Sequence, residues 1–125
     1  MAKIITLKLN SDFRRVYARG KSYVNPALVT YVLKNRAGIC RIGITTGKKL
    51  GNAVERNRCR RIIKEAFRQN QSLCTGGWDI VFVARQKTKR QKSTDIEKVL
   101  FAHLSKAGVI KQAPQSLKKS GVVEQ

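Results

Sequence analysis

The segment from residue 52 to residue 70 reads NAVERNRCRRIIKEAFRQN and carries the strongest helical pattern of the chain. Its apolar residues recur at positions i, i+3, i+4, i+7 and i+8, which form one stripe along a helix that lies on a sheet. Asn52 is a favourable N-cap, so we expect the helix to span Ala53 to Asn70. The apolar stripe comprises Cys59, Ile62, Ile63, Ala66 and Phe67.

The opposite side of this helix is cationic, and so is the glycine-bracketed loop that leads into it. Only Glu55 and Glu65 offset eight cations between residues 48 and 68. A merely solvated helix face needs charges of both signs, whereas guanidinium groups fit phosphates and base edges. We therefore predict that this surface binds nucleic acid. Its predicted contact residues are Lys48, Lys49, Arg56, Asn57, Arg58, Arg60, Arg61, Lys64 and Arg68.

Three elements are predicted upstream of this loop. Residues 10–12 offer capping side chains, Phe13, Val16 and Tyr17 recur at helical spacing, and Gly20 ends this short helix as a C′ residue. The apolar run at 28–33 predicts one strand, and the alternation at 39–46 predicts another. The turn at 34–38 favours pairing of these two strands as an antiparallel hairpin.

Downstream of the long helix, the apolar run at 78–84 predicts a buried strand. A basic connector at 85–93 leads to a last helix, for which Thr94 and Glu97 form a capping box and Gly108 provides the stop. The order α-β-β-α-β-α predicts an α+β fold, a two-layer sandwich with one sheet packed against helices. The pattern leaves the hand of the strand–helix–strand crossover open beyond the general right-handed preference.

Length and charge limit the class of protein. The 125 residues predict a single domain at 1–110 and a disordered tail at 111–125. Lys and Arg total 27 against 7 Asp and Glu, and the net charge of +20 indicates a polyanionic partner. Because no apolar run is long enough for a membrane span or a secretory signal, we expect a cytoplasmic protein without membrane contact. Nucleic acid is the common polyanion there, so counterion release from its phosphates would drive binding.

The sequence indicates neither catalytic residues nor metal ligands. The seven acids provide no convergent pair for phosphodiester hydrolysis, and His103 is more consistent with a packed side chain than with a general base. Cys40, Cys59 and Cys74 are odd in number and lack a C-x-x-C spacing, so we expect reduced thiols rather than disulfides or zinc ligands.

Three aromatic residues suggest a second binding feature. Phe13 and Tyr17 share one face of the first helix, and Tyr31 lies in the next predicted strand. A cleft between that helix and the sheet would offer rings on which the bases of a single strand stack. The alternative is that these rings belong to the core, although the hydroxyls of Tyr17 and Tyr31 favour exposure.

Three segments of the chain resemble segments of a known protein family. The string GKKLGNAVERNRCRRIIKEAFR at residues 47–68, with its Arg56-Asn57-Arg58 core, is similar to the signature segment of bacterial ribonuclease P protein components. The segments NSDFRRVY at 10–17 with Gly20, and 79–85 with the basic connector, extend the resemblance to about residues 7–107.

The resemblance implies a subunit that binds a catalytic RNA, whose holoenzyme removes the 5′ leader of precursor tRNA. It implies that the RNA, with Mg²⁺, does the cutting. We assign no metal to the protein itself and infer no obligate protein partner. It further implies that Phe13, Tyr17 and Tyr31 bind the leader and that the crossover is left-handed. The residues implied to lie against the catalytic RNA are Arg56, Asn57, Arg58, Arg60, Arg61 and Lys64.

Two other functions fit the charge. A structural RNA-binding protein of the ribosomal type would be equally basic but would not assist leader removal. A protein that inserts the long helix into the DNA major groove would prefer duplex DNA to structured RNA.

Overall fold

The computed structural model describes residues 3–111. All but the first residue of the tail predicted at 111–125 lies outside the described residues, and the domain boundary near residue 110 stays a prediction. Within this range, one sheet of five strands packs against three helices. The strands are β1 (Ile5–Thr6), β2 (Lys21–Asn25), β3 (Leu28–Lys34), β4 (Cys40–Thr45) and β5 (Trp78–Ala84), and the helices are α1 (Asn10–Arg19), α2 (Ala53–Asn70) and α3 (Ser93–Ala107).

The α+β class and the order of the six predicted elements are confirmed, and the sheet is mixed. Its strand order is β1-β4-β5-β3-β2, with β4 parallel to β5 and β3 antiparallel to β5. The two edge strands were not predicted from the sequence. β1 has only two residues, and most side chains of β2 are exposed, so neither carries the apolar alternation of a half-buried strand.

The predicted hairpin between β3 and β4 is wrong, because β5 lies between these strands. The start of β5 is hydrogen-bonded on both sides: the Asn35 N–H donates to the Gly77 carbonyl, and the Trp78 N–H donates to the Ile39 carbonyl. The turn at 34–38 must therefore be wide enough for β5 to lie between β3 and β4. A Cβ on Gly77 would lie 2.7 Å from the backbone nitrogen of Gly38, so only glycine fits at this insertion point.

The helices divide between the two faces of the sheet. The α2 and α3 helices cover one face, where Ile80 and Phe82 of β5 join the main core, and α1 lies alone on the other face against Val81. The expected packing of one sheet against helices is confirmed, but the arrangement has a helix layer on each side. The nearly continuous apolar run of β5 is the reason, since both of its faces must be covered.

The β4–α2–β5 connection is a left-handed crossover, as the resemblance implied. Ile42 packs in the core beneath α2, and its carbonyl accepts the Leu7 N–H, so β1 flanks β4 on the side of that carbonyl and β5 flanks the other side. We view the sheet with α2 in front of it and both strands running upward, so that the Ile42 side chain faces the viewer. An L residue in this orientation has its carbonyl on the right. β1 therefore lies to the right of β4, and β5 lies to its left. A connection in front of the sheet that moves leftward is opposite to the usual hand.

The helix ends confirm some of the local expectations and correct others. Asn52 caps α2, because its side chain accepts the Glu55 N–H at 2.9 Å while Glu55 accepts the Asn52 N–H at 3.0 Å. The α3 helix begins at Ser93 with Lys92 as its N-cap, so the predicted Thr94–Glu97 capping box is wrong, and the Lys92 N–H instead donates to the Asp95 carboxylate at 3.0 Å. Gly20 is not a left-handed C′ residue, since its φ is −81°. It is required there because a Cβ would lie 2.7 Å from the Val16 carbonyl oxygen.

A buried carboxylate ties α1 to the sheet. The side chain of Asp79 in β5 is only 1% exposed and accepts hydrogen bonds from Arg15 of α1 at 2.7 Å and from Arg41 of β4 at 2.8 and 3.0 Å. The Asn35 amide donates to the same carboxylate at 2.8 Å. Burial by itself would raise the pKa of Asp79, but the hydrogen bonds from Arg41, Asn35 and Arg15 outweigh it and hold the pKa below its ordinary value.

Replacing this carboxylate is expected to weaken the fold. Breaking a buried ion pair costs ~3–5 kcal/mol, and because Arg15 and Arg41 are about one-third exposed and can rehydrate, we expect Asp79→Asn to lower the free energy of unfolding by about 2–3 kcal/mol at neutral pH. The pKa of Asp79 is depressed in the folded state, so the loss should shrink as the pH falls below the unfolded value of about 3.9. Urea unfolding between pH 7 and pH 3 measures both effects.

Glu65→Gln is the matched control, because it removes one carboxylate from the exposed side of α2. Because it gives up only a surface pair with Arg68, its free energy of unfolding should fall by no more than about 0.5 kcal/mol at neutral pH. An Asp79→Asn variant as stable as the Glu65→Gln variant would contradict the assigned role of the buried network.

Candidate nucleic-acid interface

Three arginines of α2 hold other parts of the chain. Arg58 donates to the carbonyls of Lys89 at 2.6 Å and Gln91 at 3.2 Å, which fixes the basic connector against the helix. Arg56 donates to the Thr46 carbonyl at 3.2 Å. Arg60 donates to the Ile44 carbonyl at 3.2 Å, at the edge of β4 that the short β1 leaves uncovered. Each guanidinium joins α2 to a different segment and still keeps donors for a ligand.

The other predicted contact residues of α2 face solvent. Asn57, Arg61 and Lys64 are exposed and make no side-chain hydrogen bond within residues 3–111, whereas Arg68 pairs with Glu65 at 3.1 Å on the surface. Lys48 and Lys49 are exposed in a short 3-10 turn at Lys48–Leu50 that leads into the helix. We define the α2 surface as the side of α2 that carries these groups. Its members are Lys48, Lys49, Arg56, Asn57, Arg58, Arg60, Arg61, Lys64 and Arg68.

A cavity of about 470 Å³ lies between α2 and the start of α1 at the open edge of β4. The half-buried ring of Phe13 lies against Gly43, where an added Cβ would be 2.5 Å from the ring. Glycine at this position therefore lets α1 approach the sheet, and Phe13 contributes an apolar wall beside the cations of α2. The lining includes Leu7, Phe13, Ile42, Ile44, Asn57, Arg60, Arg61 and Lys64.

Tyr17 and Tyr31 meet on the α1 face of the sheet, as the sequence predicted. Their ring centroids are 4.9 Å apart with an edge-on arrangement, and the Tyr17 and Thr45 hydroxyls hydrogen-bond at 2.6 Å. Tyr17 is 37% exposed and Tyr31 is half-buried, so ring surface remains accessible. Phe13 lies on the same helix but lines the cavity at the open edge of β4, which we call the edge cavity. The three rings therefore follow one side of α1.

A second hollow, of about 590 Å³, continues from Thr45 along the part of the sheet that α1 leaves uncovered. Its floor includes Val29 and Val83, which are cross-strand partners in β3 and β5. We define the α1 groove as this hollow together with the adjoining rings of Tyr17 and Tyr31. Three cations stand on its rim, namely Lys49, Arg85 and Lys87.

The sequence reasoning recognised the basic connector but did not assign Arg85 and Lys87 to a site. The tertiary structure brings them there, because Thr88 is buried in the connector and donates its hydroxyl to the Ala27 carbonyl at 2.6 Å. This bond and the hydrogen bonds that Arg58 donates hold the connector against the sheet. The alternation of Val29, Tyr31 and Leu33 on one face of β3 was a signal that could have extended the aromatic site.

The single histidine lies outside these surfaces and serves the fold. His103 is buried, and its Nδ1 lies 2.8 Å from the Thr30 hydroxyl, while burial lowers its pKa with a further contribution from Lys106. Within residues 3–111, no three His, Cys, Asp or Glu side chains cluster in a way that could hold a metal ion. In the same range, no helix is both long and apolar enough to cross a membrane.

The family is decided by comparison with known proteins. A family model described as Ribonuclease P matches residues 1–108. The chain belongs to the ribonuclease P protein family. It is 45% identical over 104 residues to a ribonuclease P protein component of Clostridium botulinum, covering 82% of this chain and 94% of that protein. It is 50% identical over 93 residues to the component of Clostridioides difficile, covering 74% and 82%.

Solved structures agree with this assignment. The Staphylococcus aureus RNase P protein superposes with a TM-score of 0.76 at 37% identity, over 87% of this chain and all of that chain. The Thermotoga maritima protein gives 0.73 at 31% identity, over 81% and 96%. The chain is thus a protein subunit of ribonuclease P, an RNA-binding partner of the ribonuclease P RNA in tRNA processing. This favours the function implied by the resemblance over the ribosomal and DNA-binding alternatives.

The two kinds of arginine on α2 can be separated by stability. Arg58→Ala removes two hydrogen bonds to carbonyls, and hydrogen bonds of charged groups contribute ~1.5–3 kcal/mol, so we expect it to destabilise the RNA-free protein by about that amount. Arg61→Ala removes the same charge from an exposed position and should change stability by less than about 0.5 kcal/mol. Denaturant unfolding of both variants measures the difference. Equal stability of the two variants would show that the Arg58 clamp contributes nothing.

Proposed function

We propose that the α2 surface docks on the catalytic RNA, that the α1 groove receives the single-stranded 5′ leader of precursor tRNA, and that the RNA carries the catalytic centre. The observation that carries this proposal is the meeting of a tyrosine pair, an apolar floor and a basic rim in one groove beside the loop that leads into α2. Stacking surfaces with flanking cations suit an unpaired strand, whose bases are free to stack on protein rings.

The α2 surface suits structured RNA. Arg61 and Lys64 present exposed cations that are unpaired within the described residues 3–111 and can neutralise phosphates. The cavity beside them at the edge of β4 has room for a base that leaves a stack. Arg56, Arg58 and Arg60 keep the loop, connector and sheet edge in place around those cations. Because these parts of the protein are already ordered, a large RNA can contact them as one continuous cationic surface.

The carboxylates of the chain support a catalytic centre in the RNA, because several already serve protein groups. Asp79 holds Arg15 and Arg41, Glu55 completes the cap of α2, and Asp95 completes the cap of α3. Mg²⁺ is then a cofactor of the RNA-containing holoenzyme, which binds it through RNA phosphates. Precursor tRNA and the catalytic RNA are the partners, no other protein is required, and the cytoplasm is the location in which they meet.

A single-turnover cleavage assay of precursor tRNA tests the division of labour. The protein with its cognate RNA should remove the leader at low Mg²⁺, the RNA alone should need high Mg²⁺, and the RNA-free protein should not cleave. Cleavage by the RNA-free protein would overturn the assignment of the catalytic centre to the RNA.

Leader binding in the α1 groove can be tested by substitutions of its two tyrosines. Tyr17→Ala and Tyr31→Ala should each weaken binding of leader-containing precursor to the holoenzyme by ~1–3 kcal/mol, because each removes one stacking surface. Tyr17→Phe, which loses only the hydroxyl bond to Thr45, should retain most of the affinity. Titration with leader-containing and leaderless tRNA separates the effects, and equal losses on both would exclude leader contact.

RNA docking on the α2 surface can be tested by the salt dependence of binding. Arg61→Ala and Lys64→Ala should each reduce the slope of log K against log salt for binding to the catalytic RNA by about one unit, because each deletes one phosphate contact. Lys106→Ala on α3 removes the same charge at an exposed position outside both surfaces and should leave the slope unchanged. Filter binding over a range of monovalent salt measures this, and parallel slopes for all three variants would rule out the proposed docking face.

A further inference from the structure

A cavity of about 470 Å³ lies on the opposite side of α1 from the α1 groove, where β3 ends and where β4 and β5 begin. The helix separates the two hollows, because Arg15 and Tyr17 project from different sides of it. We define the arginine pocket as this cavity with its five cations, none of which belongs to the α2 surface or to the α1 groove. They are Arg15, Arg19, Lys34, Arg36 and Arg41.

Two of these cations are already held in place by carboxylates. Arg15 donates to Asp79 at 2.7 Å and to Asp12 at 3.1 Å, and Arg41 donates twice to Asp79, at 2.8 and 3.0 Å. A guanidinium has more N–H donors than these bonds use, and both side chains are about one-third exposed. A ligand would therefore meet donors whose orientation is fixed before it binds, which lowers the entropic cost of binding.

The other three cations are not neutralised by a carboxylate in the part of the chain that the structure describes. Arg19, Lys34 and Arg36 are exposed and make no ion pair or side-chain hydrogen bond within residues 3–111. The Lys34 ammonium lies 5.9 Å from the centroid of the Trp78 ring, a contact that leaves its hydrogen-bond donors available. Five cations against two lining carboxylates leave an excess of positive charge, whose mutual repulsion an anionic ligand would relieve.

The lining of the arginine pocket suits phosphates rather than bases. Of the described residues that line it, Leu33 is the only apolar one and none is aromatic. An unpaired strand would find no ring here on which its bases could stack, in contrast to the α1 groove with its two tyrosines. A base-paired segment keeps its bases stacked inside and presents its phosphates, which guanidinium and ammonium donors bind.

We propose that the arginine pocket is a second docking site for the ribonuclease P RNA, at which the pocket binds backbone phosphates of a base-paired segment. This deepens the proposed function and rests on it, because the α2 surface supplies the first docking site. The α1 helix then lies between a site for RNA backbone and a groove for an unpaired strand. Phosphate contacts position a protein on its nucleic acid, and contacts on two separate surfaces fix an orientation that one surface would leave free to rotate.

The salt dependence of binding tests the arginine pocket separately from the α2 surface. For binding of the full-length chain to its cognate catalytic RNA, Arg19→Ala and Arg36→Ala should each reduce the slope of log K against log salt by about one unit, because each deletes one phosphate contact. The double variant should reduce it by about two units. Lys106→Ala removes the same charge from an exposed position on α3 and should leave the slope unchanged. Circular dichroism of each variant verifies that it is folded.

Chemical protection locates the contact on the protein. The full-length chain is acetylated with a lysine-reactive ester, with and without bound catalytic RNA, and the modified lysines are identified by mass mapping. Lys34 should lose its reactivity in the complex, as should Lys64 on the α2 surface. Lys98 and Lys106 are exposed on α3, outside the proposed contacts, and should react equally in both states.

The outcomes separate this inference from the proposed function. Slopes for Arg19→Ala and Arg36→Ala that equal the slope for Lys106→Ala, or full acetylation of Lys34 in the complex, would overturn the arginine pocket as a docking site. If Arg61→Ala still reduces the slope in that case, docking of the α2 surface stands and only the second site is lost.

Titration of the assembled holoenzyme with mature tRNA distinguishes the catalytic RNA from the substrate as the occupant. Holoenzyme that contains the Arg19→Ala/Arg36→Ala double variant should bind mature tRNA as tightly as wild-type holoenzyme does. Weaker binding of tRNA, together with an unchanged slope for the catalytic RNA, would assign the pocket to the substrate and overturn the proposal.

Discussion

The position of α1 depends on one buried carboxylate. Within residues 3–111, Asp79 is the only acid that is fully buried, and it lies in the central strand beneath guanidinium groups from α1 and β4. A buried charge is tolerated only when its hydrogen-bonding capacity is filled, so α1 and β4 must keep the orientation that brings Arg15 and Arg41 onto it. In a chain of net charge +20, this is also a place where two cations can approach without repulsion.

The consequence of this anchor appears on the opposite side of α1. Because Arg15 pulls one side of the helix toward Asp79, Tyr17 lies on the other side, next to Thr45 and Tyr31. A single helix cannot cover a five-stranded sheet, so the strip around Val29 and Val83 stays open and becomes the floor of the α1 groove. The fold therefore leaves apolar surface uncovered in the place where the proposed function needs a base-stacking surface.

The cationic excess has two uses that look alike in sequence. Arg56, Arg58 and Arg60 donate to backbone carbonyls and hold the loop, the connector and the sheet edge, whereas Arg61 and Lys64 are exposed and make no side-chain hydrogen bond within residues 3–111. The first group builds the surface on which the second group acts. Self-repulsion among the free cations opposes folding, and binding to RNA relieves it, so association and stability are linked through the same side chains.

Local sequence was sufficient for α2, its Asn52–Glu55 cap, the stripe that Ile62 and Ile63 bury, the buried strand β5 and the cationic face, because periodicity and caps report neighbours a few residues away. Family resemblance supplied the left-handed crossover. Only the tertiary structure decided that β5 separates β3 from β4, and that Arg58 holds the connector whereas Arg61 makes no side-chain hydrogen bond within residues 3–111. These outcomes depend on which distant segments share a strand edge or a turn, and apolar patterning encodes that a residue is buried but not against which partner.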